Sequence, residues 1–302
     1  MRDALARELY AQAKANDKIR LVVADISPAG QLLEFGKEYP DRFINVGVAE
    51  ATMIGVSAGM ALKGLKPFCY TIATFSLYRP FEQIRNDLCY QNLPVTVIGM
   101  GAGVAYASLG STHHAQEDIA IAGAIPNMQV LSPCDPMEAV DCIKWCATEN
   151  KGPVYLRIGK SGEKVLTIGS KTGWEFGKLR YLRKGKGTCI LTHGAISGMA
   201  VDVADALRDR GRSVSVASVS TLKPIDRAGI ILALKEYAHV IVIEEHAPQG
   251  GLASMVKQFA WDCNAMCRLD CFTLKDEFIP DYSPKLLEAH GLSVKRIMDI
   301  VG

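Results

Sequence analysis

"RFINVGVAEATMIGVSAGMALKGLKPFCYTIA", from Arg42 to Ala73, holds the pattern that decides the fold. It opens on a short apolar run, "RFINVG", and closes on another, "PFCYTIA". The small and apolar residues between them read as a helix starting near Glu50. Continuously apolar strands separated by helices imply a parallel sheet covered on both faces. Between Arg42 and Lys63 one side chain is charged, Glu50. A carboxylate in such surroundings either rises in pKa or finds a donor. Two readings stand: an acid at a helix N-terminus satisfied by backbone N–H groups, or a buried acid facing a ligand nitrogen.

The same alternation continues outward in both directions. "IRLVVADIS", "PVTVIGM", "MQVLSP" and "PVYLRI" join the first series of strands. "GTCILTHG", "SVSVASVS", "HVIVIEEH" and "CRLDCFTL" form a second. "RPFEQIRNDLCYQN" and "VDVADALRDRG" read as helices. Asp135, Pro136 and Glu138 supply N-cap, N1 and N3 of another helix, and Gly211 ends the helix Ala195 to Arg210. The pattern breaks once, at the Gly- and Lys-rich stretch Gly159 to Gly187, which reads as a crossover. The expected fold is therefore α/β with two domains, each a mainly parallel sheet flanked by helices. The expected boundaries are 1–160 and 187–302, with a linker at 161–186.

Composition narrows the function. The chain has 302 residues, is 49% hydrophobic and carries a net charge of +2. Charges are interspersed without a polybasic run, which argues against nucleic acid or an anionic membrane as partner. "MRDALARELYAQAKAND" reads as an amphipathic helix without the apolar core of a signal peptide. The uncharged run after Glu50 is rich in Gly, Ser and Thr and too short to span a bilayer. These features lead to the expectation of a soluble, cytoplasmic protein. The nine cysteines include no CxxC pair and no His at zinc-ligand spacing; free Cys packs as a small hydrophobe.

Several segments could carry chemistry. "VIGMGAGVAYASLG" follows a strand, but its glycines read GxGxG, not the dinucleotide GxGxxG, and the Glu117–Asp118 pair is a weak candidate for a ribose. Gly-rich loops at the carboxyl end of a strand are nonetheless where open α/β sheets hold ligands. "GSTHHAQED" places His113 and His114 after that loop. "TFSLYRPFEQIRND" carries Phe75, Tyr78 and Phe81 at i, i+3 and i+6, a spacing open to core packing or to stacking on a heterocycle.

Taken in order, "DISPAG", "RFINVGVAEATM", "TIATFSLYRPFEQIRND", "GSTHHAQEDIA", "IPNMQVLSPCDPMEA", "PVYLRIG", "LKPID" and "IEEHAPQGGLAS" resemble the C-terminal half of transketolases over essentially the whole chain. The resemblance implies a pyrimidine-binding domain followed by a transketolase C-terminal domain, with thiamine diphosphate as cofactor. It implies that Glu50 hydrogen-bonds N1′ of the cofactor's aminopyrimidine and favours the imino tautomer that activates the thiazolium. It also implies that Tyr78 stacks on the pyrimidine, flanked by Phe75 and Phe81, and that Asp25 borders the cofactor. His113 would contact the sugar, and Arg157 and Arg2 its phosphate.

The chain departs from that family at Ala29, Gly101 and Leu109, where many transketolases have a serine, a histidine and an aspartate. It also contains no Gly-Asp-Gly, the motif that holds the diphosphate through Mg²⁺. The resemblance thus implies the small subunit of a split transketolase, with Mg²⁺ (or Ca²⁺) on a large diphosphate-binding partner, as an α2β2 heterotetramer acting on sugar phosphates. The alternatives are the β subunit of a 2-oxo acid dehydrogenase E1 component and a non-catalytic regulatory paralogue. A synthase condensing pyruvate with an aldehyde phosphate fits less well, since its single chain would carry the missing domain.

Overall fold

The computed structural model describes residues 1–26, 30–170 and 172–302. Ala29, where the chain departs from the family pattern, lies outside the described residues. Among them, twelve strands form two sheets. In chain order they are β1 (Ile19–Val23), β2 (Phe43–Asn45), β3 (Lys66–Ile72), β4 (Thr96–Met100), β5 (Gln129–Leu131), β6 (Val154–Ile158), β7 (Arg180–Arg183), β8 (Thr188–Thr192), β9 (Val214–Ser218), β10 (Thr221–Lys223), β11 (His239–Ile243) and β12 (Arg268–Phe272). The first sheet runs β10-β5-β6-β4-β3-β1-β2, the second β12-β11-β8-β9-β7. The pairings of these strands are parallel except β10 with β5 and β7 with β9. The expected two-sheet α/β architecture is what the chain adopts.

Strand alternation assigns the core residues to faces. Leu21, Val23, Phe68, Tyr70, Ile98 and Met100 pack on one side of the first sheet, with Leu5 and Leu9 of the helix Arg2–Ala15 and Cys142 and Cys146 of the helix Pro136–Thr148. Val22, Cys69 and Val97 point the other way, onto Met53 and Ile54 of the helix Glu50–Leu62. That second core continues into Cys189, Leu191, Val240 and Val242 of the other sheet, so the two halves share apolar contact. All nine cysteines are free, and six are buried. Burial pushes the Cys69 thiol up to about 12, as for any acid whose ionised form is taken from water.

Two details differ from the sequence expectation. Arg180–Arg183, inside the stretch read as linker, is an edge strand on β9. Two aromatic residues of that stretch are anchored too: Phe176 stacks on Trp145 with centroids 4.0 Å apart, and Trp174 Nε1 donates to Ser220 Oγ at 2.9 Å. Asp135 ties that stretch to the helix Pro136–Thr148. Its Oδ1 caps the helix Pro136–Thr148 through the Met137 and Glu138 N–H groups, while its Oδ2 accepts from the Leu166 and Thr167 N–H groups at 2.8 and 2.9 Å. Second, "RPFEQIRNDLCYQN" is not one α-helix. A helix Ala73–Leu77 precedes it, Phe81–Gln83 restarts after Pro80, and Ile84–Cys89 is a wider π-helical turn. Pro80 has no N–H to continue a helix, and wide turns of this kind recur at functional sites.

Candidate active site

The carboxyl ends of β1 to β4 converge on one edge of the first sheet, where open α/β sheets place ligands. β1 leads to Asp25, which is exposed and holds φ +54°. A non-glycine residue in that region is uncommon and concentrates at functional sites. Its N–H donates to Asn45 Oδ1 at 3.2 Å, and the same oxygen accepts from the Gly47 N–H at 2.9 Å. Asn45 thereby joins the ends of β1 and β2 just before the helix that begins with Glu50.

Glu50 is the first residue of the helix Glu50–Leu62 and is 5% exposed. The backbone N–H groups do not satisfy it. Its Oε1 accepts from Arg79 Nη1 at 2.7 Å, and among the described residues Arg79 is its one hydrogen-bond partner. Arg79 is half exposed, and its guanidinium lies over the Phe75 ring, 3.9 Å from the centroid. Phe75 meets His113 edge-on with centroids 5.1 Å apart, and His113 Nδ1 pairs with Thr112 Oγ1 at 3.0 Å. The structure therefore gathers Glu50, Arg79, Phe75 and His113 into one cluster.

Tyr78 is half buried, and its hydroxyl donates to Glu117 Oε2 at 2.9 Å. Burial, followed by the charges of Asp118 and Glu117, pushes its phenol well up. Phe81 lies past Pro80 at 38% exposure. The two acids weighed for a ribose are thus committed elsewhere: Glu117 to Tyr78, and Asp118, fully buried, to Tyr155 Oη and Arg157 Nε at 2.8 Å each.

Arg157 lies in β6 at 3% exposure, with Nη2 donating to the Glu245 carbonyl at 2.8 Å. Burial opposes its charge, and Asp118 and Glu245 more than restore it. The structure does not bring it into the Glu50 cluster. Arg2 is partly exposed, pairs with Asp3 at 3.2 Å, and lies close enough to Tyr106 for its charge to act on that phenol.

At Gly101 a side chain would meet Tyr106. Gly101 has φ +69°, and a Cβ there would sit 2.0 Å from Tyr106 Cε2. Tyr106 fills the space above Gly101 and presents its edge to His113, centroids 6.5 Å apart. Leu109 is 50% exposed at the rim. The loop carrying these residues is held from the other sheet, where Glu245 Oε1 accepts the Val104 N–H at 2.7 Å. The "IEEHAPQGGLAS" stretch is largely this joint. Glu244 caps the helix Leu252–Asp262 through the Leu252 and Ala253 N–H groups, and His246 Nε2 accepts the Ala120 N–H at 3.3 Å.

Sequence reading missed Arg79, Glu117 as the partner of Tyr78, and Tyr106. Arg79 follows the helix Ala73–Leu77, so no helical spacing marked it as the partner of Phe75 or of Glu50.

The pyrimidine-binding domain family of transketolases matches residues 1–162, and the transketolase C-terminal domain family matches residues 177–297. One of the subunits of an apulose-4-phosphate transketolase, from Actinobacillus succinogenes, is 33% identical over 92% of this chain and 90% of its own length. A putative transketolase C-terminal section of Methanocaldococcus jannaschii is 32% identical over 99% and 95%. 1-Deoxy-D-xylulose-5-phosphate synthase of Clostridium kluyveri is 31% identical over 97% of this chain, which spans only 47% of that enzyme. Among solved structures, a split gene transketolase described as an inactive beta4 tetramer superposes with TM-score 0.86 at 32% identity, covering 99% of this chain and 95% of that one. Transketolase from Campylobacter jejuni shares the fold at TM-score 0.77 and 18% identity, covering 99% and 46%. Both domains and these relatives agree that the chain belongs to the transketolase family.

Proposed function

We propose that this chain is the small subunit of a split, thiamine-diphosphate-dependent transketolase that moves a two-carbon ketol unit from a ketose phosphate to an aldose or aldose phosphate. The observation that carries the reading is the buried Glu50 carboxylate at the carboxyl edge of a parallel sheet, linked through Arg79 to the Phe75 ring, which in turn meets His113.

The residues fit the aminopyrimidine half of that cofactor. Glu50 offers a carboxylate whose partner, Arg79, is half exposed and free to leave. Tyr78, its hydroxyl fixed by Glu117, offers a ring to stack on the pyrimidine, Phe75 offers a second ring face beside it, and Asp25 is a rim residue. When bound, the cofactor supplies a nucleophilic carbon that carries the ketol unit. Glu50 holds and shares a proton with the ring nitrogen, and its low-dielectric shell strengthens that bond. His113 orients a sugar hydroxyl. Phe81 closes the pyrimidine side. Arg2 stands nearer than Arg157 to the substrate-phosphate role, because the Arg157 guanidinium is spent inside the fold.

Among the described residues no cluster of three metal-binding side chains occurs. In this reading Mg²⁺ (or Ca²⁺) and the diphosphate belong to a large partner subunit, in an α2β2 heterotetramer in the cytoplasm. Val48 beside Glu50 is 68% exposed and Leu62 at the far end of the same helix 61%, apolar surface suited to such a partner. The domain limits 1–160 and 187–302, joined by 161–186, remain the proposed division.

A second reading, condensation of a 2-oxo acid with an aldehyde phosphate, has support from the synthase relatives at 31–33% identity. Reconstitution with the large subunit decides between them. Thiamine diphosphate with Mg²⁺ should bind tightly to the mixture, followed by turnover of a ketose phosphate donor. Turnover of pyruvate with an aldehyde phosphate, and none of the ketose donor, would establish the second reading. Tight binding by this chain alone would end the split-subunit proposal.

A further inference from the structure

Arg79 touches the two groups that an aminopyrimidine would need, yet it has no part in the chemistry assigned to Glu50. Its Nη1 donates to Glu50 Oε1 at 2.7 Å, and its guanidinium carbon stands 3.9 Å from the centroid of the Phe75 ring. A guanidinium is flat, carries N–H donors in its plane and stacks on aromatic faces. A 4-aminopyrimidine is also flat, hydrogen-bonds a carboxylate through its edge and stacks through its face. Both compete for one carboxylate and one ring face.

We infer that Arg79 is a built-in stand-in for the cofactor's pyrimidine: it bridges Glu50 and Phe75 in the free subunit and must swing out when cofactor binds. The inference rests on the reading of this pocket as a thiamine diphosphate site. The stand-in serves a purpose, since an unpaired buried carboxylate is costly and the subunit must fold before it meets a partner. It is also removable. The Arg79 side chain is 47% exposed, and no hydrogen bond other than that to Glu50 holds its guanidinium among the described residues. Arginine's long stem can turn into solvent without disturbing the helix Ala73–Leu77, which ends before it.

The test is titration of thiamine diphosphate with Mg²⁺ into the complex of this chain and its large subunit, comparing wild type with Arg79→Met and Arg79→Lys. Loss of one stacked cation and one half-exposed ion pair should tighten binding by about three- to tenfold in Arg79→Met. Arg79→Lys, which keeps the charge but loses the planar stack, should fall between. Added salt should narrow the difference, because it weakens the ion pair in the wild type alone. In the free chain, the ¹⁵N resonances of the Arg79 side chain should be protected from exchange, and cofactor loading should remove that protection. Wild-type binding with equal or weaker binding by Arg79→Met overturns the stand-in and leaves the cofactor site in place. No binding by either complex overturns both.

Discussion

Glu245 and Val104 belong to different sheets' loops, and Glu245 Oε1 accepts the Val104 N–H at 2.7 Å. Val104 lies in the loop between β4 and His113, so a residue after β11 fixes the segment that presents the candidate sugar-binding histidine. The contact leaves no room for a side chain on Gly103, whose Cβ would lie 2.4 Å from the Glu245 carboxyl.

Burial raises the Glu245 carboxyl above its ordinary value of 4.5. The folded state then binds more protons than the unfolded state, so the contribution of Glu245 to stability falls as pH rises from 4.5 through the raised folded value. Glu245→Gln keeps an acceptor for Val104 and removes this titration. Its stability relative to wild type should improve with rising pH across that window, read by urea melts. Glu245→Ala, which strands the Val104 N–H, should cost about 1–3 kcal/mol.

Glu50→Gln should leave the fold intact, because its partner Arg79 is half exposed and such pairs are worth ~1 kcal/mol or less. Ketol transfer by the reconstituted complex should fall by about two to four orders of magnitude, the range for a lost acid–base group. Steady-state kinetics together with a thermal melt separate the two effects. Unchanged turnover would remove Glu50 from the chemistry and favour a non-catalytic subunit.

Asp118→Asn should be among the most damaging single changes. It breaks a buried pair with Arg157 at 2.8 Å and removes that guanidinium's ion-pair partner. Such losses cost roughly 3–5 kcal/mol, which chemical denaturation would register as a large drop in midpoint.

Gly101→His, which restores the family's usual residue, should destabilise the chain and should not recover ordinary transketolase specificity. The backbone there is left-handed, and the Tyr106 ring occupies the added side chain's space. A cost of about 1–3 kcal/mol is expected from overpacking alone. Gly101→His combined with Tyr106→Ala should recover part of it, and a full cost in the double variant would show that strain rather than Tyr106 sets the penalty.

Most strands were legible as apolar, β-branched runs, and the runs singled out became β1 to β6, β8, β9, β11 and β12. β10 was not, since three residues with no periodicity of their own pair with β5 only because the second half of the chain brings them there. Pro80 marked where the helix Ala73–Leu77 could not continue, but nothing local announced the wide turn Ile84–Cys89.

At the site, sequence singled out Glu50 by its isolation among apolar residues and Phe75, Tyr78 and Phe81 by their spacing. It could not say that Arg79, 29 positions away, answers Glu50, or that Asp118, 39 positions from Arg157, draws that arginine inward. Local chemistry settled most of the strands, helices and turns, since apolar periodicity, caps and left-handed glycines act within a few residues. Which charges meet was decided by the order of strands in the sheets, because partners distant in the chain become neighbours only after the sheets have formed and water has been excluded between them.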